Sequence, residues 1–190
     1  MQFIYFGSST KCRKFSNFYE CKIEYNGTLY RSVEHAFQSQ KFNESEKFAI
    51  GGDFDNYDSL KNYKQIFYTK KITDEELDKK ISYWSQRKCV GVVAKLVSGV
   101  KHPRFGLSYK KDFIDSEDLM RQLLIIKFKD QELAKLLVST EDKILVEFSK
   151  SAFRNFQNSK IEKWTGLVKD GVIYGENTMG KLLMEIRESL

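Results

Sequence analysis

The chain is predicted to fold as one compact α+β domain over residues 1–190, mainly helical with short antiparallel hairpins. Three observations lead there. Asn26-Gly27 and Asp170-Gly171 each sit between short β-prone segments, and such dipeptides favour two-residue hairpin turns. Capped segments with helical apolar spacing lie between them. The elements follow one another without the strand–helix–strand rhythm of a parallel sheet. Length and composition agree. At 190 residues the chain fits one domain with a full core, and a single Pro with 11 Gly leaves no material for a long flexible linker.

Taken in order, residues 2–6 (QFIYF) form a strand, and residues 21–30 a hairpin in which Ile23, Tyr25 and Leu29 flank Asn26-Gly27. Ser32 stands as an N-cap before a helix running to about Phe42. Residues 43–72 are polar and aromatic around Gly51-Gly52, with room for a short helix. Thr73-Asp74-Glu75-Glu76 is a capping box opening a helix with Leu77, Ile81 and Trp84 on its apolar stripe. Residues 90–97 are apolar all round and read as helix, whereas residues 99–113, with Gly99, Pro103 and Gly106, read as loop. Ser116 caps a helix with Leu119, Leu123 and Ile126 inward, and a second helix follows over residues 131–138. Residues 144–148 suit a strand, Lys169-Asp170-Gly171 a second hairpin, and Asn177 or Thr178 caps a last helix burying Leu182, Leu183 and Ile186.

Cys12, Cys21 and Cys89 are odd in number and have no CxxC spacing. They read as free thiols in a reducing compartment, not as a disulfide framework or a zinc site. The N-terminus lacks the basic and apolar regions of a signal peptide, and no apolar run approaches the roughly 18 residues of a membrane span. A cytoplasmic chain is expected, monomeric, with no membrane association, metal or cofactor. The net charge of +6 attracts phosphate-bearing partners, but the lysines are scattered among acids, so charge alone does not make a nucleic-acid binder.

One segment carries chemistry. In a helix starting at Ser32, positions four and seven apart share a face, so Glu34, Gln38 and Lys41 line one side while Val33, Ala36, Phe37 and Gln40 turn inward. Glu34 falls in the first turn, where the helix dipole favours a carboxylate. An acid and an amine with an amide between them could flank a small polar ligand. The same pattern also describes a solvated, weakly paired helix face, and His35 suits capping or packing as well as binding.

A resemblance decides between these. Phe15-Ser16-Asn17-Phe18-Tyr19, followed by the hairpin and by SVEHAFQSQKF over residues 32–42, resembles the pattern [LS]-S-N-F-x…S-x-E-H-x-F-Q-x-x-K-[FA]. GENTMGKLLMEIR over residues 175–187 resembles G-x-N-x-[LM]-G-x-x-L-M-x-[LIV]-R. Between them, Met120…Lys127-Phe128 and Leu145-Val146-Glu147 resemble a central helix and the strand that follows it. The chain is thus similar, nearly end to end, to the NADAR (YbiA-like) family.

The resemblance implies a metal-free, mainly helical α+β domain that cleaves N-glycosidic bonds between ribose C1′ and a base nitrogen. The substrates it implies are ADP-ribosylated guanine in a nucleotide, DNA or RNA, or phosphoribosyl small molecules such as the aminopyrimidine intermediates of riboflavin biosynthesis. A non-catalytic ADP-ribose or nucleotide-binding module is the alternative from another class. Glu34 is the candidate general acid/base, and Lys41 the candidate nucleophile or else a phosphate partner. Asn17 would hydrogen-bond ribose or base, Phe18 or Tyr19 would stack on a ring, and His35 and Gln38 complete the substrate side of the first motif. Trp164 with Gly166 resembles a W-G element forming a base-stacking wall. Asn177 either binds nucleotide or caps the last helix, Gly180 permits close helix packing, and Met184 belongs to the core. Two departures fall on that second wall. The family commonly reads D-x-x-W-G, but here Ile161 holds the acid's place, so that either Glu162 substitutes for it or the role is absent, and Thr165 separates Trp164 from Gly166. The segment 149–163 is also longer than in short bacterial members.

Overall fold

Turn chemistry and capping place most elements. The computed structural model describes residues 2–62, 73–99, 102–114, 116–149 and 162–190. Its strands are β1 (Phe3–Phe6), β2 (Ile23–Tyr25), β3 (Thr28–Tyr30), β4 (Ile144–Glu147), β5 (Leu167–Lys169) and β6 (Val172–Tyr174). Its helices are α1 (Val33–Ser39), α2 (Asp58–Asn62), α3 (Asp74–Ser85), α4 (Val92–Val97), α5 (Glu117–Lys127), α6 (Gln131–Val138) and α7 (Thr178–Ser189). This is a mixed α+β fold in which helices dominate and small antiparallel hairpins punctuate. It forms two compact units, one of Met1–Ser16 with Leu124–Leu190 and one of Asn17–Leu123.

In the Asn17–Leu123 unit, β2 and β3 pair antiparallel with Tyr25 opposite Thr28. Asn26 and Gly27 both take positive φ, 49° and 72°, as the type I′ turn requires. The hairpin leads into α1, where Ser32 accepts the His35 backbone N–H. Thr73 and Glu76 close the expected capping box on α3, whose stripe buries Leu77 and leaves Ile81 and Trp84 half-buried. Of the apolar run 90–97, Val92–Val97 is helix. The expected loop after it contains a short 3-10 turn over His102–Phe105, and Tyr109 forms an isolated antiparallel bridge with Phe42.

That bridge ends α1 sooner than the periodicity predicts. Phe42 is fully buried, stacked on Tyr109 at 4.8 Å and on Phe48 at 5.7 Å between centroids. Reaching that aromatic cluster demands extended backbone, so the helix stops at Ser39 and the next turn tightens: Lys41 N–H donates to the Gln38 carbonyl, three residues back, at 3.0 Å.

In the other unit β1 lies parallel to β4, with Phe3 opposite Ile144 and Phe6 opposite Glu147. The β5–β6 hairpin turns at Asp170 and Gly171, again with both φ positive. α7 packs on β4 at Gly180, where a Cβ would fall on the Leu145 carbonyl oxygen. It buries Leu182, Leu183 and Ile186 as expected, but Met184 is only half-buried. The inward stripe of α5 is shifted by one position. Met120, Leu123, Leu124 and Lys127 are buried, with Leu119 and Ile126 at its margins. Lys127 fits in an apolar stripe because its ammonium donates to the Ser16 carbonyl at 2.7 Å. The 63–72 part of the 43–72 segment, and 150–161 of the extended one including Ile161, lie outside the described residues.

Candidate active site

Every residue of α1 is buried, including the polar ones, so its polar face is an internal surface. Two clasps fix the start of that helix. The Arg31 guanidinium meets the buried Asp55 carboxylate twice, Nε to Oδ1 at 2.5 Å and Nη2 to Oδ2 at 3.1 Å, a bidentate geometry specific to arginine. Beside it, His35 Nε2–H donates to the Phe54 carbonyl at 3.0 Å, which leaves Nδ1 to accept from the Ser32 hydroxyl at 2.8 Å. Burial pushes the imidazole down to about 4, so near neutral pH it is uncharged. The resemblance implies that His35 touches substrate. Both of its ring nitrogens are instead spent on the helix start and the 51–55 loop.

Asn17, Gln38 and Lys95 converge on Glu34. Its side chain is 3% exposed and both of its oxygens accept from amides. Gln38 Nε2, one turn on, donates to Oε1 at 2.6 Å, and Asn17 Nδ2 donates to Oε2. The Glu34 backbone N–H in turn donates to the Asn17 carbonyl at 3.0 Å. Hydrogen bonds to a carboxylate are the strong ones, and two of them fix both oxygens in direction. A carboxylate so held, in the first turn of a helix, can pass or receive a proton along a defined line.

α4 closes on this carboxylate at Gly91, the residue before its first turn. Gly91 N–H donates to the Phe18 carbonyl at 3.0 Å. A Cβ on Gly91 would come 2.7 Å from Phe18 Cα, 2.8 Å from Ser32 Oγ and 3.0 Å from Glu34 Cβ. One turn later Lys95 brings its ammonium to 3.9 Å from Glu34 Oε1.

The sequence-predicted residues therefore divide. Asn17, Glu34 and Gln38 come together. Phe18 and Tyr19 are half-buried beside Asn17 in sequence. Lys41 lies two residues past the end of α1, its ammonium 4.6 Å above the Phe37 ring centroid and 5.5 Å from that of Phe113.

Trp164, Gly166 and Asn177 belong to the other unit. Trp164 is half-buried with the Lys163 ammonium 5.3 Å from its ring centroid, and Thr165 Oγ1 donates to Glu162 at 3.4 Å. Gly166 is buried and its N–H donates to Glu147 at 2.9 Å. A Cβ there would meet Asn177, Ile173 and Val146 at 3.1 Å each. Asn177 occupies the N-cap position of α7, but its side chain makes no capping bond. It pairs with β4, accepting from Glu147 N–H at 3.0 Å and donating to the Leu145 carbonyl at 2.8 Å. Neither expected role, cap or nucleotide ligand, describes those two bonds. The amide acts as a substitute strand on the open edge of β4.

The sequence profile of the NADAR domain matches residues 4–190. The chain belongs to the NADAR family. A solved structure, the NMR structure of the E. coli protein YbiA, aligns with 100% of this chain and 86% of that one at a TM-score of 0.52 and 24% identity. No curated protein matches the chain. NADAR membership supports hydrolytic enzyme activity of a general N-glycosidase or ADP-ribose-related kind. Among the described residues no His, Cys, Asp and Glu side chains gather as a metal site requires, and no helix is long and apolar enough to cross a membrane.

Two residues packed against Glu34 carry no signal in the sequence. Gly91 and Lys95 sit in the apolar run 90–97, where the only available signal was a glycine and a lysine four apart. Nothing in that spacing reveals that the glycine faces Glu34.

Proposed function

We propose that this NADAR domain hydrolyses the N-glycosidic bond between ribose C1′ and a base nitrogen, removing ADP-ribose from ADP-ribosylated guanine in nucleic acid or nucleotide. The observation that carries the reading is the buried Glu34 carboxylate, with Asn17 and Gln38 amides on its two oxygens. Breaking a C1′–N bond requires a proton for the departing nitrogen and stabilisation of positive charge at C1′, and a directed carboxylate serves both.

Lys41 is the proposed nucleophile. Its amine adds to C1′ of the ring-opened ribose, and the C1′–N bond to guanine breaks as Glu34 hands a proton to that nitrogen. The resulting lysyl imine is hydrolysed by one water, which restores the amine and frees ADP-ribose. The net reaction consumes one water and no cofactor. Lys41 follows α1 in the same motif, and the rings of Phe37 and Phe113 beside its ammonium supply an apolar flank. The net charge of +6 favours a polyphosphate or nucleic-acid substrate.

The test is to incubate the purified protein with DNA or RNA carrying ADP-ribosylated guanine and to measure free ADP-ribose. Release is expected, lost in Glu34→Ala and Lys41→Ala, with borohydride trapping a ribosyl adduct on Lys41. A label on another residue overturns the nucleophile. No release, with turnover of a phosphoribosylaminopyrimidine, replaces the substrate. Binding of ADP-ribose with no turnover of either leaves a binding module.

A further inference from the structure

Lys95 presents an ammonium that the fold does not need. Its Nζ is 3.9 Å from Glu34 Oε1, and its side chain is 60% exposed while that of Glu34 is 3% exposed. At that separation it makes no hydrogen bond, and the two Glu34 oxygens already accept from Gln38 and Asn17. An ion pair with one partner so exposed adds little to stability. The position is nevertheless built. Gly91 lets α4 approach to where a Cβ would touch Phe18, Ser32 and Glu34, and the Lys95 N–H donates back to the Gly91 carbonyl at 3.1 Å. Val93, Ala94 and Val97 bury the inner side of the same helix, which keeps Lys95 on the outward side, over the carboxylate.

We propose that Lys95 is a substrate-binding residue that takes the diphosphate of the ADP-ribosyl group beside Glu34. This rests on the glycosidase reading above. In the free protein the ammonium rests near the Glu34 carboxylate. A diphosphate offers several anionic oxygens to its three donors, against one oxygen of Glu34 beyond bonding distance. Arrival of substrate draws the lysine outward, and Glu34 is left with neutral amide partners while it handles the proton. One residue thus ties recognition of the anionic part of the substrate to release of the acid.

The test measures binding apart from turnover. Calorimetric titration of the wild type, Lys95→Ala and Lys95→Arg with ADP-ribose, and with adenosine as a phosphate-free probe, is expected to show three results. Lys95→Ala weakens ADP-ribose binding by about tenfold, the scale of one charge-assisted hydrogen bond. Lys95→Arg stays within about threefold, because the charge is kept. Adenosine affinity and Tm are the same in all three proteins. Equal ADP-ribose affinity in wild type and Lys95→Ala overturns the proposal. So does an equal loss of adenosine binding, or a wild type that does not bind ADP-ribose. A wild type that binds through Lys95 but releases no ADP-ribose from guanine keeps this inference and overturns the glycosidase reading alone.

Discussion

Asn17 and Glu34 hold each other twice: the Glu34 backbone N–H donates to the Asn17 carbonyl at 3.0 Å, and the Asn17 side-chain amide donates to the Glu34 carboxylate. The loop before the hairpin and the first turn of α1 are thereby locked at the acid. Replacing Asn17 with Ala strips one donor from a buried carboxylate, which costs about 1–3 kcal/mol or more. A fall in urea midpoint together with lost ADP-ribose release is expected. A midpoint equal to that of the wild type would show that the carboxylate does not depend on this amide.

Gly91→Ala tests the close approach of α4. The new methyl meets the Phe18 backbone at 2.7 Å, with Ser32 and Glu34 at 2.8 and 3.0 Å, so the helix must shift, at a cost of about 1–3 kcal/mol. Gly99→Ala is the control, since its Cβ finds its first neighbour at 3.5 Å, an ordinary contact. Thermal unfolding should separate the two, with activity falling only in Gly91→Ala.

Acid should loosen the clasp at His35. Its folded value is about 4, lowered from 6.5 chiefly by burial, so between those values the unfolded chain binds the proton that the folded chain refuses. Stability is then full above pH 6.5, declines as pH falls through the window, and levels off below about 4. The total loss is roughly 3 kcal/mol at 1.36 kcal/mol per unit. Denaturation midpoints of wild type and His35→Asn, compared from pH 7 to 5 where few carboxylates titrate, should show the steeper decline only in the wild type.

Asn177→Ala separates the strand-pairing role from nucleotide binding. It orphans Glu147 N–H and the Leu145 carbonyl and puts alanine at a φ of 51°, a region asparagine tolerates far better. A loss of about 1–3 kcal/mol or more is expected, with ADP-ribose affinity unchanged at temperatures where the variant stays folded. A stable variant that no longer binds ADP-ribose would restore the nucleotide role.

Features written in neighbouring residues were legible. Asn26-Gly27 and Asp170-Gly171 specify their turns by backbone sterics, and Thr73 with Glu76 specifies a helix start, whatever surrounds them. Glu34 and Gln38 were legible for the same reason, being one turn apart. Features decided by distant partners were not. α1 stops early because Tyr109 captures Phe42. His35 is a clasp because Phe54 presents a carbonyl to it. Asn177 turns away from its cap because β4 has an open edge, and Lys95 faces Glu34 only through the packing of Gly91. Periodicity assigns a side chain to a face but cannot say what waits there.

The pairing of β1 with β4 sets a schedule for the ribosome. Residues Phe3–Phe6 leave before their ladder partners Ile144–Glu147, which are added only after the whole Asn17–Leu123 unit has been synthesised. The latter, contiguous in sequence, can close while translation continues. β1 meanwhile waits with its edge unpaired, exposed to the mispairing that such edges invite. Joining contacts so remote in the chain is slow, and it makes the unit built around this ladder the later of the two to be completed.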